Sequence, residues 1–113
     1  YVPGQTYTAV LTIDQTGIGT FGFQMIARNA NNANVGTFVA TNTAETQVSS
    51  GYLQHTLGGI SATTTGTKSW NFSWTAPPAG TGTVSFYVAT NAADGTGGTS
   101  GDAIYTNVFT LTE

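Results

Sequence analysis

Apolar and polar residues alternate with a period of two along almost the whole chain, and Gly, Asn and Pro break the alternation at short intervals. A period of two sends successive side chains to opposite faces of an extended strand, whereas a helix needs a period near 3.6. Residues 6–13 put Tyr7, Ala9, Leu11 and Ile13 on one face and Thr6, Thr8 and Thr12 on the other. Residues 20–28 set Phe21, Phe23, Met25 and Ala27 against Gln24 and Arg28. A strand resumes around Phe38 over residues 36–41, short strands are expected at 46–48 and 60–63, and a further one over 52–57. Residues 68–75 turn Trp70, Phe72 and Trp74 inward and Asn71 and Ser73 outward, and residues 83–90 set Val84, Phe86 and Val88 against Ser85 and Tyr87. A closing strand is expected over 104–112. The Pro77-Pro78 pair lies in a connection, because proline cannot donate to a strand ladder.

Seven to nine strands at this spacing define an all-β chain, and connections too long for a simple meander favour an antiparallel β-sandwich over a closed barrel. With 113 residues there is room for one domain, spanning 1–113. Only 6% of residues are charged, against roughly a quarter in an ordinary soluble domain. Arg28 and Lys68 are the two basic residues, too few for the phosphate footprint of a nucleic-acid-binding protein. No apolar run approaches the length of a membrane-spanning helix. The opening Tyr1-Val2-Pro3-Gly4 has neither the basic nor the apolar part of a signal peptide, so the chain reads as a processed protein or a piece of a longer one.

Pro3-Gly4-Gln5-Thr6-Tyr7, Phe21-Gly22-Phe23-Gln24 with Ala27, and Gly36-Thr37-Phe38, in that order, are similar to the first half of the Reeler domain. Tyr52-Leu53-Gln54-His55-Thr56, residues 70–74, Ala76-Pro77 and Gly80-Thr81-Gly82-Thr83-Val84-Ser85-Phe86-Tyr87 are similar to its second. The resemblance is strongest to the bacterial branch found in "choice-of-anchor" surface proteins, in which Asn91-Ala92-Ala93-Asp94-Gly95 and Ser100-Gly101-Asp102 also fit. It implies an immunoglobulin-like sandwich on extracellular or cell-surface proteins. Eukaryotic members carry disulfide cysteines; this chain has none, which favours a prokaryotic origin.

Candidate chemistry is sparse. Asp94 and Asp102 bracket a Gly-rich segment whose carbonyls and carboxylates suit calcium, with Asn91 as a further oxygen ligand; turn-capping aspartates are the plainer reading. His55 is the sole histidine, on the same face as Leu53 and Leu57 by alternation, and has no evident catalytic or ligating partner. A structural role is expected for it, and a core role for Trp70, Phe72 and Trp74. Tyr52 and Tyr87 point opposite to apolar neighbours and are the candidates for contact with a sugar or a protein. Thr-rich stretches are too irregular for an ice-binding array, and no nucleophile-elbow, phosphate-loop or dinucleotide motif occurs.

These features point to a non-catalytic extracellular adhesion or interaction module whose partner is a protein or glycan at the cell surface. Its contacts are expected from loops 29–35 and 91–102 at one end of the sandwich. The alternatives are a self-associating subunit of a surface filament or lattice, and a carbohydrate-binding module from a larger secreted protein.

Overall fold

The computed structural model describes residues 1–62, 66–93 and 103–113. Among these, eight strands follow in order: β1 (Thr6–Asp14), β2 (Thr20–Arg28), β3 (Thr37–Val39), β4 (Thr46–Ser49), β5 (Tyr52–His55), β6 (Thr67–Thr75), β7 (Val84–Ala93) and β8 (Ala103–Leu111). They form two antiparallel sheets, one of three strands in the order β1-β6-β3 and one of five in the order β4-β5-β2-β7-β8. The chain is a β-sandwich.

Aromatic and β-branched residues hold the layers together because their side chains suit a pleated surface with one face in the core. In β6 the alternation is strict, with Trp70, Phe72 and Trp74 buried and Asn71 exposed. Trp70 of the small sheet lies 4.5 Å, centroid to centroid, from Phe23 of the large one, and Trp74 lies 4.8 Å from Phe86. Leu53, Phe21 and Val84 complete the most deeply buried positions. Gly36, at φ +72°, enters β3 where a Cβ would lie 2.4 Å from Nε1 of Trp74, so both backbone and packing require glycine there.

Several local expectations change. The strand around Phe38 shortens to three residues, because it pairs with β6 only through Thr37, Phe38 and Val39. Of the strand expected at 60–63, the described residues contribute a single bridge, Ser61 to Thr20, and residue 63 lies outside them. Leu57 does not share a face with His55: β5 stops at His55, and a 3-10 turn over Leu57–Gly59 leaves Leu57 90% exposed. β7 extends to Ala93, so residues 91–93 belong to a strand.

The two loops expected at one end leave from opposite ends. β2 and β7 are antiparallel, with Arg28 opposite Ser85 and Thr20 opposite Ala93. Loop 29–35 therefore leaves β2 at the end where β7 begins, and the chain after Ala93 leaves at the other.

The small sheet covers the large one unevenly. β1 and β8 are edge strands on the same side, and between them an apolar cleft of about 810 Å³ runs into the sandwich, lined by Tyr7, Leu11, Phe72, Trp74, Phe86 and Phe109.

Candidate functional site

The outer face of the five-stranded sheet gathers the two candidate tyrosines. β2 lies at its centre with β5 on one side and β7 on the other. The β2–β7 register sets Tyr87 opposite Ile26, and the Met25–Leu53 pair brings Tyr52 alongside Ile26 from the other flank. Alternation sends both rings outward, since their neighbours Leu53, Phe86 and Val88 point into the core. Ile26 is 4% exposed yet lies outside the core cluster, so this outer face has an apolar floor of its own.

Arg28, one residue pair further along β2, closes one end. Its guanidinium donates from Nη1 to Oδ1 of Asn32 (3.2 Å) and reaches the Tyr52 hydroxyl from Nη2 (3.5 Å). Its Nε is buried with no hydrogen-bond partner. The one ion pair among the described residues joins Lys68 to Glu45, so no described carboxylate balances Arg28. With Gln24, Asn32, Thr106, Asn107 and Val108, these side chains frame an open hollow of about 520 Å³.

The hollow offers aromatic faces for stacking, amides for hydrogen bonding and a guanidinium suited to bidentate contact with a carboxylate. Alternation places Arg28 on the outward face of β2 with Gln24, but its convergence with the two tyrosines and the burial of Ile26 are absent from the sequence expectations. An isoleucine between Gln24 and Arg28 on the outward parity was the available signal.

The other candidates lie elsewhere. His55 packs against Gly22 beside β2, where Phe23 donates its backbone N–H to Nδ1 (3.0 Å). Trp70, Phe72 and Trp74 are 1%, 6% and 2% exposed, and Nε1 of Trp70 donates to the Gly59 carbonyl (2.8 Å). Asn91 lies in β7 opposite Gly22 and Ile104, while Asp94 and Asp102 lie outside the described residues. Among the described residues, no group of three or more His, Cys, Asp or Glu could hold a metal ion. No described helix is long and apolar enough to cross a membrane.

Lys68 was not singled out in the sequence. It is 4% exposed, on the inward parity of β6, and its ammonium bonds Glu45 while lying 5.8 Å from the centre of the Trp70 ring. A buried cation needs such a partner.

A two-layer antiparallel sandwich with an unbalanced pair of sheets and a polar-aromatic outer face defines an all-β domain of the immunoglobulin-like kind. The model of the Reeler domain matches residues 1–95, and the chain belongs to that family. Among solved structures, a human F-spondin reeler domain is similar at 25% identity with a TM-score of 0.72, covering 100% of this chain and 79% of that one. A structure of the Reelin-N domain of F-spondin is similar at 25% identity with a TM-score of 0.69, covering 100% of this chain and 77% of that one. A second fragment of the human domain, at 24% identity and a TM-score of 0.68 over 100% of this chain and 83% of that one, shares the fold. No curated protein sequence matches the chain.

Proposed function

We propose that the chain, as one domain over residues 1–113, is a non-catalytic extracellular interaction module that binds its partner in the hollow on the outer face of the five-stranded sheet. Membership in the Reeler family supports the extracellular, interaction-type reading. The observation that carries the choice of surface is the convergence over the buried Ile26 of Tyr52, Tyr87 and Arg28, which has no ion-pair partner among the described residues.

The hollow suits a cell-surface ligand that presents a carboxylate beside a flat apolar face. An acidic sugar has that combination, as does an acidic side chain on a protein loop. Arg28 would take the carboxylate, and Tyr87, 43% exposed, would stack on the adjoining face. The carbohydrate reading is favoured over a purely protein one by the polar frame of Gln24, Asn32, Thr106 and Asn107. A calcium ion held by Asp94, Asp102 and Asn91 is a separate proposal, resting on the Gly-rich sequence between the two carboxylates.

The test applies the labelled domain to an array of neutral and carboxylate-bearing glycans. Binding to acidic glycans that is lost in Tyr87→Ala is expected. An array left blank would remove the glycan reading, and binding unaltered by Tyr87→Ala would remove the hollow.

A further inference from the structure

The outermost strand of the large sheet has properties that natural sheets avoid on a free edge. β8 is nine residues long and, among the described residues, pairs only with β7, leaving its other backbone edge open. Edge strands are ordinarily kept from pairing with other chains by shortness, proline, bulges or charge. Of the other edge strands, β4 has four residues and β3 three, while β1, nine residues long, ends in the charged Asp14. β8 reads Ala-Ile-Tyr-Thr-Asn-Val-Phe-Thr-Leu, with no charged residue and no proline.

Both of its faces carry exposed apolar side chains. Ile104 (64% exposed) and Val108 (58%) point away from the core; Tyr105 (44%), Phe109 (54%) and Leu111 (41%) point toward the cleft beside β1. A partner strand paired along the open edge of β8 would therefore meet exposed apolar side chains on both faces of the sheet.

We infer that β8 is a homotypic interface: two copies pair β8 with β8, antiparallel, about a two-fold axis. Antiparallel pairing of a strand with its own copy is itself a two-fold operation, so both open edges are satisfied at once. Identical surfaces repel when they carry charge, and this strand carries none. The nine residues overlap fully when the axis passes Asn107, which sets Ile104 opposite the partner's Thr110. The two large sheets then join into one of ten strands. Such an interface uses the same surface on both copies and closes at two, so it yields a dimer and not a filament. The two hollows would lie on one face of the joined sheet, giving a bivalent module. The bivalence rests on the binding role of the hollow; the dimer does not.

Sedimentation velocity over a concentration series tests the interface. The 11.6 kDa chain is expected to sediment at twice that mass at high concentration and to dissociate on dilution. Ile104→Lys with Thr110→Lys places like charges opposite one another at exposed positions outside the hollow, and this variant is expected to stay monomeric with an unchanged thermal melt. Ile104→Glu with Thr110→Lys turns those contacts into attractive pairs and is expected to restore the dimer. Val48→Lys, on the far edge strand of the same sheet, is expected to leave it intact. A wild-type protein that stays monomeric to millimolar concentration would overturn the inference, as would a dimer that survives the double lysine variant or is lost with Val48→Lys. Glycan binding, read separately on the array, fails or stands independently of these masses.

Discussion

Phe86 on β7 lies directly opposite Phe109 on β8 and on the same face of the sheet, yet Phe86 is 8% exposed and Phe109 is 54% exposed. Trp74 and Phe38 of the smaller sheet cover Phe86, with ring centroids 4.8 and 6.2 Å away. One strand further out, the cover ends. The pair marks the line where the sandwich stops being sealed.

That difference makes the two phenylalanines energetically unequal. Phe86→Ala empties a packed site and is expected to cost about 3–5 kcal/mol in urea unfolding. Phe109→Ala is expected to cost less than about 1 kcal/mol under dilute conditions, where the chain is monomeric. Equal losses would mean that the β8 side is covered in the monomer.

The Lys68–Glu45 pair is buried at its lysine end and a third exposed at Glu45, so the cost of breaking it falls on the lysine. Removing one partner leaves a desolvated charge behind, so Glu45→Ala, which strands Lys68, is expected to lose about 3 kcal/mol. Lys68→Met together with Glu45→Gln removes both charges and keeps the volume, and it is expected to lie within about 1 kcal/mol of the wild type. Denaturant midpoints at constant slope measure both.

Gly22 and His55 form a tight packing pair. A Cβ at position 22 would lie 2.6 Å from Cε1 of His55, so Gly22→Ala is expected to displace the ring and break its bond to the Phe23 N–H. His55→Ala leaves that N–H without its side-chain acceptor, at a cost of about 1–3 kcal/mol. The double variant has no ring left to clash with, so its loss is expected to fall short of the sum of the single losses. Strict additivity in a double-mutant cycle would contradict this coupling.

Glu113 gives stability an acid-sensitive component. The backbone N–H groups of Gly82 (3.0 Å) and Gly80 (3.1 Å) bond its carboxylate, and they hold its pKa below the ordinary value of 4.5. A carboxyl with a lowered folded pKa contributes stability above its unfolded value and loses it as pH falls through the folded one. The melting temperature of the wild type is therefore expected to exceed that of Glu113→Gln at pH 6, with the gap closing as pH falls below 4.5. A gap that persists to pH 2 would assign the difference to something other than ionisation.

Much of the architecture was legible because alternation is a local property. The inward rows of β1, β2, β6 and β7 follow from parity alone, and the aromatic weight of Trp70, Phe72 and Trp74 marks the central layer. Pairing order and register are not local. They decide that β2 lies between β5 and β7, that Tyr52 and Tyr87 therefore meet across Ile26, and that loop 29–35 and the chain after Ala93 leave from opposite ends. Parity does place Lys68 inward with the tryptophans. Its partner Glu45, 23 residues earlier, is found only through the fold. Leu57 shows the reverse error, an apolar residue assigned to a strand that a tight turn had already ended.

The claim that the outer-sheet hollow is the binding surface is tested most directly by comparing the wild type with Arg28→Gln on the glycan array. Arg28 is the group in the hollow suited to bidentate contact with a carboxylate. The account expects the wild type to bind carboxylate-bearing glycans and not their neutral counterparts, and expects that signal to fall about tenfold in Arg28→Gln, a loss of about 1.4 kcal/mol. Acidic-glycan binding that is unchanged in Arg28→Gln, or equal binding to neutral glycans, would contradict it.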